Sequence, residues 1–323
     1  MNRYINCIAW MAMTCAAAEI PTHEPAAIRS AVTRAMEPLE KQSPNFVRIG
    51  GCNSCHNQDL PVLAQSIAKS KGIPAGGEFV MAADNDNFER VFEHSGLLSA
   101  SSIGYQVMAL IAKARPADAR TDGMVNYLIA HQEPDGRWAA RSNRQPLSTG
   151  DHHGTAFGIY VLSNYGRNAQ KDRVRAHITK AVAWLQENAP RSNQDAAMQV
   201  MGLAWGHADQ TALTKAAAAL KARQRESGGW AQLDTLEPDA YATGQALYAL
   251  ALAGTPGSDA TYRKGVDFLI RTQAKDGTWH VKARSKPVQP YFESGFPYGH
   301  DQWISAAGTS WAVMALAMAA PPK

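Results

Sequence analysis

The stretch Arg223–Trp230, RQRESGGW, decides how this chain folds. Its order is a glutamine, three residues, a glycine, one residue and a tryptophan. The same order recurs in HQEPDGRW (131–138) and TQAKDGTW (272–279). Each copy follows a helix-like stretch, GMVNYLIAH, ALTKAAAALKAR or GVDFLIRT. Each precedes a second helix rich in small and aromatic residues, GTAFGIYVLSNYG, AYATGQALYALALAG or ISAAGTSWAVMALAMA. Trp230 and Trp279 lie 49 positions apart, and Trp138 and Trp230 lie 92 apart, close to two such periods. A period of this length marks stacked supersecondary units.

The missing units can be filled in. RVRAHITKAVAWLQEN is an amphipathic helix, and QDAAMQVMGLAWG is a small-residue helix without the Gln-Gly-Trp link before it. Upstream, EFVMAADNDNFERVFEH pairs with SASSIGYQVMALIAKA. Before that, AIRSAVTRAMEPLEK runs through NFVRIGG into DLPVLAQSIAKSKG. The result is six hairpins, each with a charged helix and an apolar one. An apolar helix must bury nearly all its faces, so it belongs inside, with the charged helix covering it. The expected fold is all-α, an α/α toroid of about six helical hairpins with inner and outer rings. An open solenoid of the same hairpins is the alternative.

These turns resemble the QW motifs of the squalene cyclase and protein prenyltransferase superfamily, over roughly residues 30 to 319. The resemblance implies the α/α toroid and says little about chemistry, because the turns belong to the outer scaffold. Class II terpene cyclases carry an Asp-x-Asp-Asp stretch before an inner helix. Here LEPDAYATGQAL (236–247) matches it only at Asp239, and DNDN (84–87) sits in an outer-helix pattern. Prenyltransferases hold zinc with Asp, Cys and His late in the ring, but no cysteine follows Cys55. Asp59, Asp151, Asp195, Asp239 and Asp301 all fall near inner-helix starts, where aspartate is a preferred cap. Asp239 and Asp301 are the candidate catalytic acids of an acid-lined mouth.

The first residues, MNRYINCIAWMAMTCAAAE, have a positive start, a short apolar run and then small residues. This is the pattern of a secretory signal over 1–18, cut after Ala18, which leaves one toroid domain over 19–323. The run is short for a membrane span, and no later stretch is apolar enough for one. The net charge of +4, without a Lys/Arg block, argues against nucleic acid or an anionic membrane as partner. Of four cysteines, Cys7 and Cys15 lie in the signal, so the mature chain keeps Cys52 and Cys55.

Those two form CNSCH (52–56), and C-x-x-C-H is the attachment signal of c-type haem. Two thiols three apart on a helical turn reach the two vinyl groups, and His56 then serves as proximal iron ligand. A thioredoxin-type pair expects a preceding strand and a βαβ fold. A structural disulfide or a zinc half-site would use the same cysteines, although zinc expects a second Cys/His pair. Aligned with DFLIRTQAKDGTWHVKA, NFVRIGGCNSCHNQDLP replaces the Gln-Gly-Trp turn of the first hairpin. One covalent haem c is therefore expected at the barrel end where inner helices begin.

Ring closure would set hairpin six beside hairpin one, which makes His300 the first candidate for the second iron ligand. His152 and His153, then Met81 and His94, are further candidates, and an open iron site is the remaining case. Tyr291, Phe292, Phe296, Tyr298 and Trp303 in the long turn would either wall a haem pocket or plug the mouth. The expected function is a periplasmic or secreted c-type haem protein in electron transfer or another haem-linked redox role. Its partner would be a redox protein or a small-molecule substrate in the barrel. A terpene-cyclase-like or lyase-like enzyme, or a non-catalytic binding module, are the alternatives.

Overall fold

A computed structural model describes residues 25–50, 55–81, 99–139, 144–286 and 290–321. The signal segment 1–18, Cys52, His94 and the DNDN stretch lie outside the described residues, as does the side chain of Cys55.

Helices alternate between two rings. The outer ones are α1 (Pro25–Gln42), α5 (Ala119–His131), α7 (Lys171–Glu187), α9 (Gln210–Lys221) and α11 (Ala260–Thr272). The inner ones are α3 (Leu60–Ser70), α4 (Ala100–Ala112), α6 (Asp151–Tyr165), α8 (Asn193–Trp205), α10 (Ala240–Leu252) and α12 (Gln302–Ala319). A short helix, α2 (Asn45–Arg48), and a π-turn (Cys55–Asp59) lie in the first link. Of the outer helix expected in the second hairpin (78–94), residues 78–81 are irregular rather than helical, and the rest lies outside the described residues.

Burial separates the rings as the composition requires. In α12 every residue from Ile304 to Ala317 is buried, whereas α7 buries only Val174, Ala181, Trp184 and Leu185. Inner neighbours pack in the order α3, α4, α6, α8, α10, α12 and back to α3, so the ring is closed and the open solenoid is set aside. Small residues permit the close approach. A Cβ added at Gly244 of α10 would lie 2.5 Å from the backbone of Trp311 in α12. Among the described residues, no helix is long and apolar enough to cross a membrane.

The Gln-Gly-Trp turns staple three elements at once. In the turn after α9, Trp230 Nε1 donates to Leu220 O at the end of the outer helix (2.9 Å), and Trp230 N donates to Thr243 Oγ1 of the inner helix (2.9 Å). Gln224 Nε2 donates to Gly228 O and to Thr261 O of the next outer helix, both at 2.8 Å. Gly228 has φ +88°, and a Cβ there would meet Lys264 O at 2.5 Å, so only glycine suits the position. Trp138 and Trp279 repeat the indole bond to Leu128 O and Leu269 O. Gln132 and Gln273 repeat the bridge, and Gln273 donates to Ala31 O of α1 (2.8 Å), which fastens the last hairpin to the first.

The fourth hairpin lacks the turn and ties itself differently. Gln199 of α8 donates to Leu185 O (2.5 Å) and Asn188 O (3.3 Å) at the end of α7, and a Ser192 capping box starts α8. In the first hairpin the register differs from the sequence alignment. The outer helix stops at Gln42, just before Ser43 and Pro44, rather than running through NFVRIGG, because a residue before proline is disfavoured in helical conformation. Gln42 donates to Asn57 O (2.6 Å) across the link.

Candidate functional site

Among the described residues, the outer-to-inner links lie at one end of the barrel, where the inner helices begin. The π-turn Cys55–Asp59 runs directly into α3 and packs on α4 and α12. Asn57, Gln58 and Asp59 are fully buried, whereas His56 retains partial exposure. The His56 Nδ1 lies 2.6 Å from the Asn57 side-chain amide. Burial, and secondarily the Arg144 charge, hold the His56 imidazole down at about 3. His56 thus sits in the link that leads into the inner helix of the first hairpin.

The link that opens hairpin one and the long turn of hairpin six are tied together. Asn45 Nδ2 donates to Ser294 O (2.6 Å), and the Phe292 ring lies against Gly50, where an added Cβ would be 2.6 Å from it. Phe46, Phe292 and Trp303 form one aromatic cluster, with centroids 5.1 to 5.9 Å apart. Tyr291 extends it, 6.2 Å from Trp303 and 4.2 Å from His300. His300 is exposed on a 3-10 turn, Gly299–Asp301. The aromatics divide between roles: Phe292 and Trp303 flank the link before Cys52, whereas Phe296 is core and Tyr298 bonds Thr278.

His152 and His153 point different ways. His152 lies against Trp184 of α7, and its Nε2 is 3.0 Å from Asn188 O. His153 is fully buried inside the ring, with Nδ1 2.7 Å from Ser101 Oγ and Nε2 3.3 Å from Tyr105 Oη. Burial holds His153 at about 3. Tyr105 also donates to Leu147 O (3.1 Å). Tyr105 and Tyr241 come from α4 and α10, opposite helices of the inner ring. Tyr241 donates to Gln194 Oε1 and accepts from Gln245 Nε2, both at 3.1 Å. Gln194 in turn donates to Pro146 O and Thr149 O, holding the link 144–150 across the mouth. Met81 is buried.

Asp239 caps α10, its Oδ1 accepting from Ala242 N (2.8 Å). Its Oδ2 accepts from Gln232 Nε2 (2.7 Å), and Gln232 Oε1 accepts from Arg284 Nε (2.7 Å). Burial raises the Asp239 carboxyl to about 6 against the pull of these bonds and of Arg284. Asp301 Oδ2 is 2.7 Å from His280 Nε2, and Oδ1 accepts from Ala283 N (2.8 Å). Burial would raise Asp301, but the bonds from Ala283 and His280 hold it below the usual range. Asp195 completes the Ser192 capping box, and Asp151 pairs with Arg137. Asp151, Asp195, Asp239 and Asp301 are thus tied into separate local bonds, whereas Asp59 is buried at the start of α3 without a side-chain cap bond.

Sequence reading did not single out Ser101, Tyr105, Arg144, Gln194 or Tyr241. The available signal was polar residues in the first two turns of helices that are otherwise apolar. Together these features define a closed α/α toroid. No protein-family profile matches the chain. Solved structures of a type II terpene cyclase, MstE from Scytonema, share the fold. The apo form has a TM-score of 0.54 at 16% identity, covering 93% of this chain and 99% of that one. A variant in complex with geranylgeranyl dihydroxybenzoate, its substrate, gives 0.55 at 14%, covering 92% and 98%. Another, in complex with merosterolic acid A, its product, gives 0.57 at 16% over the same shares.

Proposed function

We propose that this chain is an exported c-type haem protein, with an electron-transfer or other haem-linked redox role, built on a terpene-cyclase-type toroid. The observation that carries the reading is that C-x-x-C-H stands where other hairpins carry a Gln-Gly-Trp turn, with His56 in the barrel mouth. Cys52 and Cys55 would hold the porphyrin as thioethers, and His56 would ligate the iron. The imidazole suits an iron ligand: the Asn57 amide nitrogen faces His56 Nδ1 at 2.6 Å, and turning that amide over would let its oxygen accept from Nδ1–H and leave the Nε2 lone pair for metal. Haem supplies one-electron exchange when bound. The surrounding residues limit water access, since Asn57, Gln58 and Asp59 are buried and Phe292 covers Gly50. His300 is the first choice for the second axial position, because its aromatic cluster reaches the link that carries the motif.

The protein from a host that matures c-type cytochromes should show a sharp Soret band and stain for haem after denaturing electrophoresis. The Cys52→Ser/Cys55→Ser pair should lose the stain entirely. An unstained, colourless parent protein from that host would overturn the proposal.

The shared fold favours a second reading, a cyclase-like enzyme with Asp239 as proton donor. Its raised carboxyl is the supporting observation. Against it, both Asp239 oxygens already accept hydrogen bonds. Incubation with geranylgeranyl dihydroxybenzoate tests it. Cyclised product that vanishes in Asp239→Asn would establish this reading, and no product from the parent protein would remove it.

A further inference from the structure

The barrel end opposite the mouth carries a groove that the haem reading does not use. It has a volume of about 560 Å³ and runs between α7 and the C-terminal ends of α6 and α8. That volume lies within the range of about 300–1,000 Å³ typical of small-molecule sites. Its α7 wall recurs every three to four residues from Lys171 to Gln186, one helix face about 22 Å long. The chemistry along this face is segregated. Lys171 and Arg175 stand at one end, and Val174, Ile178 and Val182 continue from there with Leu162 opposite. Arg167, also at the charged end, is paired with Asp122. Neither Lys171 nor Arg175 has an acidic partner among the described residues. They also flank the start of α7, the positive end of its dipole.

We infer that this groove binds a single-chain anionic amphiphile, with its head on Lys171 and Arg175 and its chain along Val174, Ile178 and Val182. A long apolar trough closed by cations at one end matches such a molecule in both charge and length. A neutral lipid would leave the two cations unused, and a compact anion would leave the trough empty. A carboxylate and a phosphate monoester are alternative heads of the same chemistry. The inference is independent of the haem reading, because it concerns the other end of the ring.

The test is fluorescence titration of the full-length protein with parinaric acid, an 18-carbon fluorescent carboxylate, followed by displacement with hexadecanoate or with hexadecyl phosphate. Saturable binding at one per chain is expected, and the better competitor identifies the head. Lys171→Glu/Arg175→Glu should weaken binding tenfold or more. Thr179→Trp, at an exposed position lining the groove, should abolish it while leaving the melting curve unchanged. No saturable binding would overturn the inference. So would binding that survives Thr179→Trp, or binding indifferent to charge reversal, which would mark an uncharged ligand.

Discussion

Trp230→Ala is expected to lower the unfolding free energy by about 3–5 kcal/mol, the usual cost of removing a large buried aromatic. The indole is fully buried and packs against Gly265, where a Cβ would lie 2.9 Å from the ring. Its Nε1–H also donates to Leu220 O at the end of the outer helix, a carbonyl that accepts from Arg223 N as well. Truncation removes the volume and one of the two bonds to that carbonyl, so the lost packing dominates the cost. Gln224→Ala should cost less, about 1–3 kcal/mol, because it removes two hydrogen bonds but little volume. Urea unfolding monitored by circular dichroism measures both. A Trp230→Ala midpoint equal to that of the parent would show that the turns are not what joins the hairpins.

The hairpins were legible because what builds them is local. Gln224, Gly228 and Trp230 lie within seven residues and act on neighbouring backbone, so their spacing survives as a readable signature. Closure, by contrast, was expected from the burial of the apolar helices and the family resemblance rather than from the local pattern, which an open solenoid shares. It depends on Gln273 reaching Ala31, some 240 positions away, and on α12 meeting α3. The start of the first hairpin was misregistered for a similar reason. Pro44 ends the outer helix early, and the similarity of Asn45–Phe46 to Asp267–Phe268 concealed this.

The mouth was half legible. Cys52, Cys55 and His56 stand out in the sequence because their spacing is the one that the proposed haem attachment requires. The partners of His56 do not, because Asn57 and Arg144 are ordinary polar residues until the fold brings them near. The aspartates near inner-helix starts were legible as a pattern but not as roles. Asp239 caps directly, Asp195 closes a capping box, and Asp301 clamps a turn. Tyr105 and Tyr241 were illegible, since their partners, Leu147 O and Gln194 Oε1, lie more than forty positions away in the sequence.

The core should also carry an acid-sensitive element at His153. In the folded protein its imidazole is held down at about 3 by burial, against an ordinary value of 6.5. Ser101 and Tyr105 bond both ring nitrogens, and no charged side chain bonds the ring, so the neutral form is the one the fold accepts. Below pH 6.5 the unfolded chain takes up a proton at this site that the folded chain refuses, so stability falls with pH. The contribution is complete above about 6.5 and is lost down to about 3, at up to about 1.4 kcal/mol per pH unit. Asp239 acts with the opposite sign between its ordinary 3.8 and about 6, where the folded state holds the extra proton. Comparison with His153→Gln isolates the histidine, because Asp239 and the other carboxylates titrate alike in both proteins. The glutamine amide can still meet Ser101 and Tyr105, so the variant should fold. Between pH 7 and 4 the parent should lose about 3 kcal/mol more stability than the variant. Parallel stability curves across that range would mean that His153 is protonated, or free to become so, inside the folded ring.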